Sequence, residues 1–504
     1  MKIPIVFTVI HLLTVGQIWA LDIVPGGTNN DEDLIQRALD SLQAGDTLHL
    51  NGDFVISATI YLPSDFTWIL NGSLTLSGDA VLDKAGWVEP GVDARRYTGI
   101  TEKPGGASNI DMSGGTYYGN AANYPNSMRF INFVSVTYSR FHDMLITEAT
   151  DDNFTLGPGS NHNECRNLIG SFAGGNALTD KGDHNKWYDC IAEDCASDGW
   201  TPKCRNSEFY RCTGRRNGAP GFGMFARLDG SGDPVDLGEI ITGNKFIACE
   251  AYDNQRGGFS FNIASTSGQG SIVRDNYIQA ICYNNRMQGI GFRNKQPDGI
   301  MENNEVDILV YGNEGLNSDG SLSSYAGGLG VEGPVKGITG SIVAYENGGW
   351  DVNIQKASNC TLSVYNPADR DPAKLNTGSD GNIVNEIGFS CSQAPENWCV
   401  QKYCSLPAVQ IADVKSNTSV FLLQNHPNPF HEITTIRYTI PVRGFVSLKV
   451  YDCSGREIRT LVKGIQQKGE YSVNFDGRDL LSGIYFYRLI AGNKAETKEF
   501  ILMK

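Results

Sequence analysis

DGWTPK (198–203) is followed by PGFGMF (220–225), GGFSFN (257–262) and QGIGFR (288–293), each with turn residues and then alternating apolar side chains. Alternation with period two between turn residues is typical of short strands that bury one face. Four further segments share the pattern: DNFTLG (152–157), GNALTD (175–180), GGLGVE (327–332) and GGWDVN (348–353). The middle of the chain is therefore predicted to be a series of similar coils.

These segments recur at intervals of about 22 to 37 residues, which is the range of structural repeats. Some offsets inside the units are constant: Cys212 lies ten residues before Phe222, and Cys249 lies ten before Phe259. Constant offsets in units of variable length indicate that the coils keep a common core while their loops vary. We therefore predict an all-β fold, a right-handed parallel β-helix, whose coils bury their apolar faces by stacking.

Stacking the segments also predicts which side chains share a column. One inward column contains Phe154, Trp200, Phe222, Phe259, Ile290, Leu329 and Trp350. We expect a second inward stack of small apolar side chains, rather than disulfides, at Cys165, Cys190, Cys212, Cys249 and Cys282. Three later cysteines are the better disulfide candidates: Cys391, Cys399 and Cys404.

The start of the chain has the pattern of an exported protein. Lys2, an apolar run and Ala20 predict a signal peptide at residues 1–20. No later segment approaches the roughly 18 apolar residues of a membrane span. The stretch DEDLIQRALDSL (31–42) has an apolar helical face and predicts a short helix that covers the first coil.

The predicted organisation has three parts after the signal peptide: a β-helix at 21–404, a polar linker at 405–420, and a C-terminal unit at 421–504. The last unit alternates cleanly between turns near Gly455 and Gly483. This alternation predicts a small antiparallel β-sandwich.

The C-terminal unit resembles the sorting domain of type IX secretion substrates. The resemblance rests on Gln424, the run PNPF (427–430), TTIRY (434–438), YD (451–452) with GR (455–456), and GIYFY (483–487). It implies contact with the secretion machinery, passage across the outer membrane, and removal or anchoring at the cell surface. A carbohydrate-binding module is the alternative for this unit.

Composition limits the class of partner. The 58 glycines favour short strands and tight turns. The net charge of −15 argues against a nucleic-acid partner, because phosphate binding requires clustered Lys and Arg. An acidic polysaccharide remains compatible, since only the local charge of a groove matters there. We expect a monomer.

Polar residues that follow the apolar columns predict a site. Asp180 and Lys203 fall on adjacent coils in this alignment, roughly 5 Å apart. Arg293 falls in the same slot further on, and Arg227 follows Phe225. Carboxylates and cations mixed in one groove are suited to an anionic sugar.

Residues 22–360 resemble the pectate-lyase-like β-helix superfamily, in the cap helix, LPSDFTWILNG (62–72) and SDGWTPK (197–203). The resemblance implies a lyase that acts on an acidic polysaccharide by β-elimination. By carry-over Lys203 is the catalytic base, and Arg293 or Arg227 holds a substrate carboxylate. Ca²⁺ is the implied cofactor, held by Asp198 with Asp180 or Asp152.

This chain departs from the calcium-dependent lyases, because RGGFSFN (256–262) lacks the second aspartate pair that is expected on a later coil. Either the metal site is reduced or an arginine replaces it. Two other functions remain open. Paired aspartates on consecutive coils suit an inverting glycoside hydrolase of polygalacturonase type. A glycan-binding or adhesin β-helix without catalysis is the third alternative.

Overall fold

The computed structural model describes residues 20–26, 30–85, 88–89, 92–93, 96–226, 240–263, 270–317, 319–321, 323, 327–378, 381–406, 421–423, 425, 427–428, 430–440, 444–452, 457–466, 469–480, 483–491 and 494–503. The chain divides into two units between residues 407 and 408. Each unit has its own hydrophobic core. The predicted signal peptide lies outside the described residues, apart from Ala20.

The first unit is a parallel β-helix, as predicted, because its strands pair in parallel from coil to coil. Leu178, for example, pairs with Phe154 of the preceding coil and with Trp200 of the following coil. In the described residues the larger sheet has 19 strands. These are Ala20–Ile23, Thr47–Ile56, Phe66–Leu76, Ile110–Ser113, Thr116–Tyr118, Arg140–His142, Leu145–Thr147, Glu164–Arg166, Ile169–Ser171, Lys186–Tyr188, Ile191–Glu193, Glu208–Tyr210, Thr213–Arg215, Lys245–Tyr252, Tyr277–Tyr283, Glu305–Tyr311, Thr339–Tyr345, Thr361–Pro367 and Ile383–Phe389.

A second sheet, which we call the groove sheet, runs along the same coils and has 13 described strands. Twelve of them form one parallel path: Ile60–Leu62, Arg96–Glu102, Met128–Phe133, Phe154–Leu156, Leu178–Asp180, Trp200–Pro202, Phe222–Ala226, Phe259–Ile263, Ile290–Asn294, Gly327–Glu332, Trp350–Gln355 and Leu375–Asn376. Lys84–Ala85 pairs antiparallel at Arg96–Glu102.

Shorter elements complete the coils. The described short strands are Val88–Glu89, Val92–Asp93, Ala107–Ser108, Val136–Thr137, Ile240–Thr242, Ile272–Arg274, Ile300–Glu302 and Val335–Lys336. Helix α1 (Glu32–Ser41) buries Ile35, Ala38 and Leu39 against the first coils, which confirms the predicted cap. Helix α2 (Trp398–Ser405) follows a 3₁₀ turn at Cys391–Gln393.

Aromatic and cysteine side chains stack along the inside of the β-helix. The rings of Trp200 and Phe222 stack with centroids 5.6 Å apart, and those of Phe222 and Phe259 with centroids 4.2 Å apart. The predicted inward stack of thiols is confirmed at Cys165, Cys190, Cys212, Cys249 and Cys282, which are buried and not disulfide-bonded. Packed rings and thiols give each coil the apolar interior that it lacks alone.

The disulfide prediction is confirmed for two of the three late cysteines. Cys391 and Cys404 form a disulfide that connects the 3₁₀ turn to α2. Cys399 is instead a buried free thiol, and its backbone N–H donates to Asp307 Oδ1 at 3.1 Å. The hydrogen bond holds α2 against the strand Glu305–Tyr311, and the disulfide connects the helix to the turn before it.

Buried asparagines form a hydrogen-bonded ladder along one row of turns, and this ladder was not predicted. Asn254 Nδ2 donates to Asn285 Oδ1 at 2.9 Å, and Asn285 Nδ2 donates to Asn313 Oδ1 at 3.0 Å. Asn313 continues the ladder to Asn347 at 2.8 Å. Each amide satisfies the next one, so polar side chains are buried here without loss of hydrogen bonds.

The alignment of GNALTD (175–180) was wrong by one residue. Asp180 pairs with Leu156 of the preceding coil and with Pro202 of the following coil. Its side chain therefore points inward in line with that of Leu156 and is fully buried. A shift of one residue moves a side chain to the other face of a strand. Asp180 consequently does not lie beside Lys203 on the outer face.

Trp350 was also assigned wrongly to the inward column. Val352 pairs with Leu329 and takes the inward position. Trp350 is 38% exposed. The strand Trp350–Gln355 begins two residues before the inward position, so the tryptophan lies at the start of the strand.

The C-terminal unit consists of two antiparallel sheets, as predicted. One sheet contains Phe421–Leu422, Ile433–Ile440 and Gly469–Asp476. The other contains Gly444–Tyr451, Glu457–Gln466, Gly483–Ala491 and Lys494–Leu502. Buried side chains from both sheets, such as Tyr438 and Tyr487, share one core.

Candidate functional site

A cleft of about 520 Å³ lies on the outer face of the groove sheet. Thr179 and Thr201, which pair on adjacent coils, form part of its floor. The turn residues before the strands contribute Asp151, Asp152 and Asp198, and the residues at the strand ends contribute Lys181, Lys203 and Phe225. The buried Thr201 hydroxyl has no hydrogen-bond partner among the described residues.

Two arginines from earlier coils meet the aspartate pair. Arg129 Nε lies 3.4 Å from Asp152 Oδ2 and 3.7 Å from Asp151 Oδ2. Arg96 Nε lies 3.5 Å from the same oxygen of Asp151. Arg129 is only 5% exposed, so its attraction to the carboxylates is little weakened by solvent. These arginines were not predicted, because they precede the segments that the repeat pattern aligns.

The paired aspartates differ in their surroundings. Burial raises the pKa of Asp151, and the neighbouring charge of Asp152 raises it further, against the lowering effect of Arg129 and Arg96. Asp152 is buried and hydrogen-bonded: the Asn176 N–H donates to Oδ1 at 2.9 Å, and other donors reach Oδ2. The pKa of Asp151 therefore lies above its ordinary value.

Asp198 reaches over the next coil because that coil carries a glycine. A Cβ atom on Gly223 would overlap the Asp198 carboxylate. The Asp198 N–H is held by Asn176 Oδ1 at 3.2 Å, which fixes the turn. Asp198 lies in the cleft, as the sequence predicted, and its role stays a prediction.

Lys203 lines the cleft, and a second lysine accompanies it. Because Asp180 pairs with Pro202, the residues that follow them, Lys181 and Lys203, lie about one strand spacing apart, ~5 Å. Both side chains are half-buried and both line the cleft. The sequence analysis missed Lys181, since the one-residue error in GNALTD put Asp180 in its place.

Asp180 lies inside the β-helix and is fully hydrogen-bonded there. Trp187 Nε1 donates to Asp180 Oδ2 at 2.8 Å, while the Gly182 N–H and Asn185 Nδ2 each donate to Oδ1 at 2.9 Å. Burial raises its pKa despite these donors. This carboxyl supports the coil from within and does not belong to the cleft.

Of the two predicted arginine clamps, Arg293 is not brought to this cleft. Arg293 lies three coils beyond Lys203, where its Nε is 2.5 Å from Glu332 Oε2. Arg227 lies outside the described residues. Arg256, which was not predicted, does line the cleft.

The predicted calcium ligands do not fit a calcium site. Asp180 points to the interior, and the oxygens of Asp152 already accept hydrogen bonds and face Arg129. In the part of the chain that the structure describes, no group of three or more His, Cys, Asp or Glu side chains could hold a metal ion. Ca²⁺ needs six to eight oxygen ligands. Of the predicted ligands, Asp152 instead faces the guanidinium group of Arg129.

Comparison with known families identifies the C-terminal unit. Residues 425–503 match the family model described as a secretion system C-terminal sorting domain. The unit is a type IX sorting domain. The protein is therefore delivered to the cell surface or the extracellular space, as predicted, and the sorting domain connects it to the secretion machinery. None of the helices among the described residues has the length and apolarity of a membrane span.

The chain is also similar to solved structures. The A-module of a mannuronan C-5 epimerase from Azotobacter vinelandii is 14% identical, with a TM-score of 0.47, and the match covers 72% of this chain and 97% of that one. An exopolygalacturonase from Thermotoga maritima is 12% identical, with a TM-score of 0.46 and coverage of 73% and 93%. A tailspike protein of bacteriophage CBA120 is 12% identical, with a TM-score of 0.44 and coverage of 95% and 76%. Curated protein sequences gave no significant match.

Proposed function

We propose that the β-helix unit is a lyase that cleaves a uronic-acid-containing polysaccharide, of pectate or alginate type, by β-elimination. One observation carries this proposal: cations gather in the cleft of a chain whose net charge is −15. The described cations that line it are Arg96, Arg129, Lys181, Lys203 and Arg256. Cations in a concave site attract and orient an anionic polymer, even on an acidic protein.

Lys203 is the proposed base. It takes the proton from C5 of a uronate unit, the C4–C5 double bond forms, and the bond from C4 to the leaving oxygen breaks. The electron pair of that bond stays with the leaving oxygen, which then takes up a proton from water. The products are one fragment with an unsaturated end and one with a new reducing end.

Lys181 is the proposed partner of the substrate carboxylate. A cation beside this carboxylate stabilises the negative charge that develops when the C5 proton leaves. Lys181 and Lys203 directly follow the paired residues Asp180 and Pro202 on adjacent coils, so base and counter-charge can act on one sugar unit. Arg129 and Arg96, held by the aspartate pair, extend the positive potential along the cleft.

The test is product formation by the full-length protein on polygalacturonate and on alginate. We expect the ultraviolet absorbance of unsaturated uronates to rise. Lys203→Ala should slow this rise by roughly a hundredfold to ten-thousandfold, the contribution of a positioned base. The control is Lys186→Ala, an exposed lysine on the 19-stranded sheet. An unchanged rate in Lys203→Ala would remove Lys203 from its proposed role.

A second candidate is an inverting glycoside hydrolase, and the raised pKa of Asp151 favours it. A protonated Asp151 would donate to the leaving oxygen, and Asp198 would activate water. The two turns are two coils apart, ~10 Å, close to the ~6.5–9.5 Å between the carboxyl groups of inverting enzymes. New reducing ends without unsaturated products would favour this candidate.

A further inference from the structure

A second, smaller cleft continues the first along the groove sheet. Its volume is about 100 Å³, and Phe225 and Arg256 line both clefts, so the two are continuous. We call it the trough. Its floor contains Ser260 and Gly291, which pair on adjacent coils and have little or no side chain.

The trough contains buried polar atoms that lack partners. Gln288 is 6% exposed and lines the trough, and its Oε1 has no hydrogen-bond partner among the described residues. Its other amide atom, Nε2, donates to Ser260 Oγ at 3.3 Å. Asn262 also lines the trough, and its buried Oδ1 has no hydrogen-bond partner among the described residues. A buried acceptor without a donor costs about 1–3 kcal/mol, so two of them in one hollow indicate a ligand with donor groups.

The other walls of the trough fit a sugar ring. Phe225 and Met287 offer apolar surface, and the exposed Arg256 stands at the junction with the first cleft. From Thr201 to Gly291 the groove sheet rises by three strand spacings, ~14 Å, a distance that only an oligosaccharide spans.

We infer that the trough is a second sugar-binding subsite, at which Gln288 and Asn262 accept hydrogen bonds from hydroxyl groups of the chain bound in the first cleft. The inference rests on the proposed function for the substrate class, and it concerns binding rather than cleavage. A second subsite makes the protein selective for the length of the oligosaccharide chain. Short oligosaccharides fill the first cleft alone, whereas longer ones also reach the trough.

The test uses galacturonate and mannuronate oligosaccharides from trimer to decamer with the full-length protein. Gln288→Met keeps the side-chain length and removes the amide. We expect kcat/KM to fall about tenfold for the longer chains, the effect of one lost hydrogen bond, and to stay unchanged for the shorter ones. Gln279→Met is the control, because this glutamine lies on the 19-stranded sheet and contacts Tyr277.

An equal loss for all chain lengths, or no loss, would overturn the inference, and thermal melting checks that the variant is folded. If wild-type protein cleaves none of these chains, the proposed lyase activity is refuted. The subsite is then tested separately, by calorimetric measurement of how tightly the same chains bind. Weaker binding of the longer chains alone by Gln288→Met would support the trough. Equal binding by both proteins, or no binding by either, would overturn it.

Discussion

Two glycines determine where the carboxylates of the cleft lie. A Cβ on Gly175 would come within 2.6 Å of Asp151 Oδ1 and 3.0 Å of Asp152 Oδ1. A Cβ on Gly223 would overlap the Asp198 carboxylate. Neither glycine needs a left-handed backbone conformation here. Both are required because an acidic side chain of the preceding coil crosses their backbone at close range.

Gly223→Ala therefore tests the position of Asp198 without changing any charge. The new methyl group should push the Asp198 carboxylate out of place, and we expect kcat/KM on the cleaved polysaccharide to fall by about tenfold or more. Gly388→Ala is the matched control, because no atom lies within 4 Å of its added Cβ. Full activity of Gly223→Ala would show that the position of Asp198 does not matter for the reaction.

The guanidinium groups beside Asp151 and Asp152 predict the response to metal removal. Because Arg129 already faces both carboxylates, we expect activity to survive treatment with EDTA and not to rise on addition of Ca²⁺. Activity is measured at constant ionic strength, since salt also screens the cationic cleft. Loss of activity in EDTA, restored by Ca²⁺, would contradict the geometry of this site.

At the scale of the strands, the sequence predicts the β-helix better than its register. Period-two alternation identifies the coils, and the aromatic column follows from Trp200, Phe222 and Phe259. In GNALTD (175–180) the alternation fits two registers, because Ala177 and Leu178 are both apolar. A carboxyl group is normally outward, so the alignment chose the register that exposes Asp180.

The partners that make an inward Asp180 acceptable come from the following turn. Asn185 and Trp187 donate to it from five and seven residues further on, which no strand alignment reveals. The error in register is also the reason that Lys181 was not predicted. Lys181 takes the outward position once the register is corrected. Lys203 and Asp198 were found because the SDGWTPK segment contains them together with a tryptophan that fixes the register.

Asp180→Leu should destabilise the β-helix strongly, although leucine fills the same column in the preceding coil. The substitution leaves the Trp187 and Gly182 donors without an acceptor, at a cost of about 1–3 kcal/mol for each buried group, and it removes one of the two acceptors of Asn185 Nδ2. Thermal melting should show a lower Tm than in wild type. An unchanged Tm would contradict the inward assignment of Asp180.

The pH dependence of this effect follows from the raised pKa of Asp180, which is above its ordinary value of 3.8. The stability that a carboxyl with a raised folded-state pKa contributes is complete below pH 3.8 and is lost as pH rises through that pKa. Asp180→Asn removes the titration. We therefore expect the Tm of wild type relative to Asp180→Asn to decrease as pH rises from 3.8, whereas a constant difference would count against a raised pKa of Asp180.

At the scale of the whole molecule, export and reaction belong to different units. The sorting domain and the β-helix have separate hydrophobic cores, and every residue of the proposed site lies in the β-helix. The net charge of −15 is that of the chain as a whole, whereas the cleft collects cations. The chain can therefore remain strongly acidic and still bind an acidic polymer.

Deletion of residues 421–504 should separate these two properties. We expect the shortened protein to keep the kcat/KM of the full chain when it is purified from a cytoplasmic expression host. In the native type IX system the same deletion should stop delivery to the cell surface, measured by fractionation and immunoblotting. Surface delivery of the shortened protein would contradict the role of the sorting domain.

The most direct test of β-elimination is the mass of the products formed in water enriched in ¹⁸O. Elimination breaks the glycosidic bond without adding water. We therefore predict an unsaturated fragment and no incorporation of ¹⁸O into either product during cleavage. Because reducing ends exchange oxygen slowly, the fragments are reduced with borohydride immediately after a short incubation. Saturated fragments that carry ¹⁸O at the new reducing end would contradict a lyase and establish hydrolysis in this cleft.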